Sequence, residues 1–411
     1  MKQIFVYFLG CYLLIASCTD RGEKKISQIT PRIDSSSTYG YDRNFIKKYA
    51  SLIELQKGNS KLLIVPQYQG RVMTSSCYGD TGYSFGWINY DLIASKKVKE
   101  HINPYGGEER LWLAPEGGQF AFFFRKNTPY DFKHWFTPKE FDTEPFDIGN
   151  QTDSSVLFNK DLVITNRADA VFKIHIDRKI SLLGRKRIEQ NLNTALGSEV
   201  QVVAYESENT LVNTGESPWT KRTGAPALWL LGMLKPTPRT VIVLPTRGDS
   251  SSPRLHDSYF GKVPGDRLKL LDDHAFFKAD GKSRGKVGVP RQHATRFIGS
   301  YDAGNKVLTL SECDWPAGQD DFVNSVWEDQ KDPFSGDVFN AYNDGPLQDG
   351  TQLGPFYEVE SLSPAALLAP GKALTHIQIT YHLQGDESAL SKISKQILGA
   401  DLQEIENAFK Q

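Results

Sequence analysis

Val171-Phe172-Lys173-Ile174-His175-Ile176-Asp177-Arg178-Lys179-Ile180 alternates in character with a period of two. Lys173, His175, Asp177 and Lys179 fall on one face of such a segment. Phe172, Ile174, Ile176, Arg178 and Ile180 fall on the other. A period of two is that of a half-buried β-strand, because successive side chains of a strand point to opposite sides. The polar stripe either lines a cleft or faces water.

Outward from this stretch the same reading repeats. Short β-forming runs occur at 52–55, 62–65, 72–75, 120–124, 156–159, 162–165, 200–205, 227–231, 241–244, 307–310 and 375–383, punctuated by Gly, Pro, Asn and Asp. No regular βαβ alternation appears, which argues against a doubly wound sheet or a TIM barrel. Long irregular stretches at 79–118, 128–151, 245–290 and 314–354 are rich in glycine and aromatic residues. Connections of that length in a compact domain usually build a site. Helical spacing is expected from Asp42 to Tyr49, and in the tail from Glu387 to Leu398 and on through Leu402, Ile405 and Phe409.

The N-terminus reads differently. Lys2 precedes an apolar stretch, Ile4 to Ile15, that is too short to span a bilayer and ends in Leu14-Ile15-Ala16-Ser17-Cys18. This predicts a lipoprotein signal over 1–17, with Cys18 acylated, and a polar tether over 18–41. A large β domain over 42–385 and a helical tail over 386–411 follow. The protein is then expected in the cell envelope, lipid-anchored, in the outer membrane and facing the periplasm or the surface. Besides Cys11 and Cys18 only Cys77 and Cys313 remain, too few for a disulfide framework or a zinc site; whether they pair stays open. No metal or other cofactor is expected. The 411 residues carry 48 Lys+Arg and 49 Asp+Glu, a net charge of -1, so the chain has no basic surplus for nucleic acid. That balance favours a neutral ligand over a strongly anionic one. A monomer is expected.

Two segments concentrate chemistry. Asn103 to Gly118 holds Arg110, Trp112 and Glu116 among glycines. Aromatic faces stack on sugar rings, while Arg and Glu bond hydroxyls in pairs; a buried ion pair that pins the loop is the alternative. Near the other end stand Tyr342 and Asn343, then Tyr357-Glu358-Val359-Glu360. Glu358 and Glu360 share a face if this is a strand, so they form either a general-base site or two solvated charges on an edge. His274 is a further ligand candidate, and Trp219, beside Pro218, a stacking platform. Lys282-Ser283-Arg284-Gly285-Lys286 could bind a carboxylated or sulfated glycan, but a run of this kind more often is a solvated loop.

In order, Gly70-Arg71-Val72, the Gly106–Gly118 segment, Tyr357 to Pro364 and Leu368-Ala369-Pro370-Gly371 resemble the galactose mutarotase-like superfamily, nearest to bacterial lipoproteins on that fold. The resemblance implies an all-β fold: a β-supersandwich of two large, mainly antiparallel, twisted sheets with short peripheral helices and a C-terminal helix. It implies a carbohydrate ligand and, in its aldose 1-epimerases, proton transfer by a glutamate and a histidine without a cofactor. Those roles would fall on Glu360 or Glu358 and on His175, with Arg110 positioning the sugar. The epimerases' asparagine–arginine signature is absent, which leaves open another carbohydrate-active enzyme or a non-catalytic glycan binder.

Overall fold

The computed structural model describes residues 1, 35–248, 252–347 and 349–410. The expected signal, Cys18 and the tether as far as residue 34 lie outside the described residues. Strands in chain order are β1 (Ile53–Lys57), β2 (Ser60–Val65), β3 (Arg71–Ser76), β4 (Arg110–Ala114), β5 (Asp147–Gln151), β6 (Ser155–Thr165), β7 (Val171–Leu182), β8 (Val200–Asn213) and β9 (Ala227–Leu234). Then come β10 (Thr240–Pro245), β11 (Leu268–Leu270), β12 (His274–Lys278), β13 (Gly285–Pro290), β14 (Phe297–Asp302), β15 (Val307–Cys313), β16 (Asp337–Asn343), β17 (Tyr357–Leu362) and β18 (Ala373–Gly385). The helices are α1 (Tyr39–Ile46), α2 (Tyr90–Ser95), α3 (Arg185–Leu192), α4 (Glu387–Leu398) and α5 (Leu402–Asn407).

These strands form a ten-stranded sheet, β11-β12-β10-β14-β15-β18-β8-β7-β6-β5, a five-stranded sheet, β13-β16-β17-β9-β4, and a small sheet, β1-β2-β3. Neighbouring strands pair antiparallel throughout. The fold is the all-β, stacked-sheet class that the sequence predicts.

Alternation decides what each face of the large sheet buries. Val202, Ala204, Tyr381 and Leu383 turn one way, into an apolar cluster with Ile188 and Leu192 of α3, Leu390, Ile393 and Leu398 of α4, and Leu402 and Ile405 of α5. Asp386 caps α4 by accepting from the Ala389 N–H, and Gly399, at φ 80°, ends it in the left-handed conformation a glycine tolerates. The tail is therefore a packed layer on the large sheet. The intervening residues face the five-stranded sheet and are polar to an unusual degree. Arg178 of β7 donates to Glu109 (2.8 Å) and to Asn209 Oδ1 (2.8 Å), and Ser361 of β17 lies 2.8 Å from His376 Nε2 of β18.

Several expectations are corrected. Residues 35–41, placed in the tether, belong to the fold: Thr38 bridges to Tyr83, and Tyr39, fully buried, starts α1. Residues 120–124 are not a strand but turns ending in a bridge from Phe124 to Trp135, held by aromatic burial around Phe123. Stretches read as irregular contain β4, β5, β11, β12, β13 and β16. Cys77 and Cys313 are both buried and free. Among the described residues, no helix is long and apolar enough to cross a membrane.

Candidate functional site

The strand register of the five-stranded sheet assembles the site. Arg110 pairs with Leu231, Leu231 with Glu360, and Glu360 with Asn340. One row along, Met233 pairs with Glu358, Glu358 with Tyr342, and Tyr342 with Lys286. Residues directly opposite each other project to the same side of a sheet. The side facing the large sheet is taken by Tyr357, whose hydroxyl lies 2.9 Å from Ser300, and by Ser361. Arg110, Trp112, Trp229, Lys286, Tyr342, Glu358 and Glu360 therefore share the face that points away from it.

Connecting segments roof this face with Glu116, Trp135, Phe260, Arg284 and Trp327, leaving a narrow cleft. Its cavity volume is about 60 Å³, within about 530 Å³ of atom-free space that includes the open mouth. The Gly106-Gly107 pair lets the chain enter β4. Both have positive φ (93° and 108°), and a Cβ on Gly107 would meet Val72 O at 2.8 Å and the Arg71 side chain at 3.0 Å.

Charges here are paired across strands. Lys286 Nζ lies 2.9 Å from Glu360 Oε2, which also accepts from Trp229 Nε1 at 2.9 Å. Arg110 Nη2 lies 3.0 Å from Glu358 Oε1, and its guanidinium stacks 4.3 Å from the Trp112 ring centroid. Among the described residues, that oxygen and Arg110 Nε make no aligned hydrogen bond, and the buried Trp112 and Trp135 Nε1 groups have no acceptor. Burial pushes the Glu358 carboxyl up to about 7, against the pull of Arg110 and with Glu360 adding to the rise. Burial likewise raises Glu116. For Lys286 burial is the largest influence and acts downward, but Glu360 and Glu116 outweigh it and hold the ammonium charged.

Of the residues singled out in the sequence, the structure brings together Arg110, Trp112, Glu116, Tyr342, Glu358 and Glu360. It sets four apart. His175 lies on the outer face of β7, its ring nitrogens at 2.7 Å from Asp161 and 3.4 Å from Asp177, opposite to the buried Arg178; it cannot share a sugar ring with Glu360. His274 is buried on β12, paired with Asp273 (2.6 Å) and packed edge-on to Phe276. Trp219 is buried edge-on to Phe172. Asn343 holds backbone, accepting from the Gly281 N–H and donating to Ser283 O, both at 2.8 Å. Sequence reading left Lys286 and Arg284 open, in a run that could bind an anionic glycan but more often is a solvated loop, and it did not single out Trp229 or Trp327. The available signal was the alternation of Lys286-Val287-Gly288-Val289, which marks a strand. Among the described residues, no group of three or more His, Cys, Asp and Glu side chains could hold a metal ion.

Fold and cleft together define a stacked-sheet β-supersandwich with a charged, aromatic-lined cleft on its smaller sheet. The chain belongs to a family of unknown function (DUF6786), whose model matches residues 37–409. No curated protein matches it. Among solved structures it is similar to a putative aldose 1-epimerase from Escherichia coli K12, at 10% identity and a TM-score of 0.47 over 82% of this chain and 99% of that one. It is also similar to a galactose mutarotase-like protein from Lactobacillus casei ATCC 334 (10% identity, TM-score 0.45, 81% of this chain and 100% of that one). A third is a galactose mutarotase related enzyme from Lactobacillus acidophilus (10% identity, TM-score 0.44, 82% and 99%).

Proposed function

We propose that the cleft binds a saccharide and that Glu358 and Glu360 exchange protons with it. The observation that carries this reading is the opposed environment of two carboxyls on one strand face. Both are buried, but Glu360 accepts hydrogen bonds from an ammonium and an indole N–H, whereas Glu358 faces Arg110 at 3.0 Å without an aligned hydrogen bond and is pushed up to about 7 by burial. Carboxyls whose surroundings differ in this way divide into a base and an acid. Their Cα atoms stand about 6.6 Å apart along the strand, at about 3.3 Å per residue, and both side chains line the same cleft.

In the isomerase form, Glu360 takes the proton of the anomeric hydroxyl while protonated Glu358 gives one to the ring oxygen. The C1–O5 bond breaks, the aldehyde rotates, and the reverse transfers close the other anomer. Glu358 takes the place that sequence alone gave to His175. Trp112, Trp135 and Trp327 offer stacking faces, and Trp112 and Trp135 offer indole N–H groups that have no acceptor among the described residues.

Calorimetry with mono- and oligosaccharides, followed by polarimetry on each binder, tests this. Anomer exchange should fall at least about 100-fold in Glu358→Gln and in Glu360→Gln, the usual scale of an acid–base contribution, while binding persists. Binding with no exchange, or exchange indifferent to both variants, would leave a non-catalytic glycan binder. Absence of binding across the panel would sink the saccharide reading.

The N-terminal reading adds a location. We infer that Cys18 is acylated and tethers the domain in the cell envelope. In the native host, Cys18→Ala should abolish metabolic labelling by palmitate and release the protein from membranes. A labelled alanine variant would refute it.

A further inference from the structure

We propose that the saccharide of this cleft carries an oxyanion group, a carboxylate or a sulfate ester, and that Arg284 binds it. The proposal rests on the saccharide reading above and narrows it to a substrate class.

Two of the three cations lining the cleft are matched by carboxylates: Arg110 by Glu358 at 3.0 Å and Lys286 by Glu360 at 2.9 Å. Arg284 is not. Among the described residues it has no carboxylate within 4.0 Å and no hydrogen bond from its guanidinium, and its Nε is buried without an acceptor. Its guanidinium carbon lies 4.0 Å from the centroid of the Phe260 ring, and Glu116 and Asp344 feel its charge without pairing to it. A ring face fixes the plane of the fork yet leaves every N–H free, as binding a planar or tetrahedral oxyanion in two bonds requires.

The segment that carries Arg284 is anchored. Asn343 grips it from both sides, at Gly281 N and Ser283 O, and Gly345 packs so closely beneath that a Cβ there would lie 2.4 Å from Ser283 N. The remaining lining carboxyl, Glu116, is raised by burial against the pull of Lys286 and Arg284, and among the described residues it makes no ion pair with Arg284. The near-neutral total charge of the chain is therefore compatible with a cation in the cleft that has no ion-pair partner, and the expectation of a neutral ligand drawn from composition gives way.

Calorimetry on the full chain with paired sugars tests this: galactose against galacturonate, glucose against glucuronate, and galactose against galactose 6-sulfate, with sodium sulfate alone as a control. The acidic member of at least one pair should bind about 10-fold or more tighter, the scale of a charge-assisted bidentate contact, and its advantage should shrink with added salt. A uronate preference identifies a carboxylate and a sulfate-ester preference a sulfate; either supports the proposal. Arg284→Gln should erase the advantage, lowering acidic-sugar affinity about 10-fold more than neutral-sugar affinity, and Arg284→Lys should keep part of it. Neutral sugars binding as tightly as their acidic partners, or Arg284→Gln weakening both alike, overturns the role of Arg284 but leaves the saccharide reading standing. No binding by any sugar overturns both.

Discussion

Glu358 has a measurable thermodynamic signature. Its carboxyl sits at about 7 when folded against an ordinary 4.5, so the folded state holds the proton more tightly than the unfolded chain. Stability from this group is greatest below about pH 4.5 and is lost as pH rises through about 7, by an amount of order 3 kcal/mol at about 1.4 kcal/mol per unit. His376 works the other way. Burial lowers it to about 4, so it favours the folded state above its unfolded value of 6.5 and loses that contribution as pH falls toward 4. The two slopes oppose one another in wild type, and Glu358→Gln removes only one. Urea unfolding from pH 4.5 to 8 should show the Gln variant gaining on wild type with rising pH; parallel curves would mean that Glu358 ionises normally. Sequence showed that Glu358 and Glu360 share a face, because that needs only a period of two. It could not show which cation meets which carboxylate. Lys286 and Glu360 are 74 positions apart and meet only through the β13-β16-β17 register.

Elements were legible where one face is apolar and the other wet, as in β7. Where both faces are covered, strands were legible as short apolar runs, as in β9 and β10. β13 and β16 are buried along their whole lengths but carry Gly, Lys, Asp and Asn, so neither GKVGVP nor DVFNAYN reads as such a run. α3 was missed for a related reason: only Ile188 and Leu192 of its eight residues are buried, too few to give a clear stripe. The tail helices lie between these cases, with Leu390, Ile393, Leu398, Leu402 and Ile405 all turned to the large sheet. Because that sheet face has no other cover in this cluster than α3, α4 and α5, Leu398→Ala should cost about 2–5 kcal/mol through the lost contact and the cavity it leaves. Asp386→Ala should cost about 1 kcal/mol, the value of a helix cap. Both are read from urea midpoints, and a Leu398 variant as stable as wild type would mean that the tail is not part of the cooperative unit.

At the scale of the whole molecule, one buried ion pair touches all three sheets. Glu109 immediately precedes β4 of the five-stranded sheet and bridges backbone to Val72 of β3. Its carboxylate accepts from Arg178 of β7 and from Gln378 of β18, each at 2.8 Å, and Arg178 also donates to Gly70 O at 3.3 Å. Neither partner is exposed. Sequence showed Arg178 as the anomaly in the apolar row of the opening stretch, but its partner lies 69 positions away in a segment read as a loop. Removing one member of such a pair strands a charge in the interior, at about 3–5 kcal/mol, whereas replacing both with apolar groups of similar volume is often close to neutral. Arg178→Met and Glu109→Leu should therefore each destabilise by that amount, and the double variant should recover most of the loss in a denaturant-unfolding cycle. Strict additivity would show that the residues do not act as a pair. Full recovery would carry a further meaning: the pair then fixes how the three sheets register rather than how stably they pack, and its loss should show as altered saccharide affinity in the cleft that β4 helps to build.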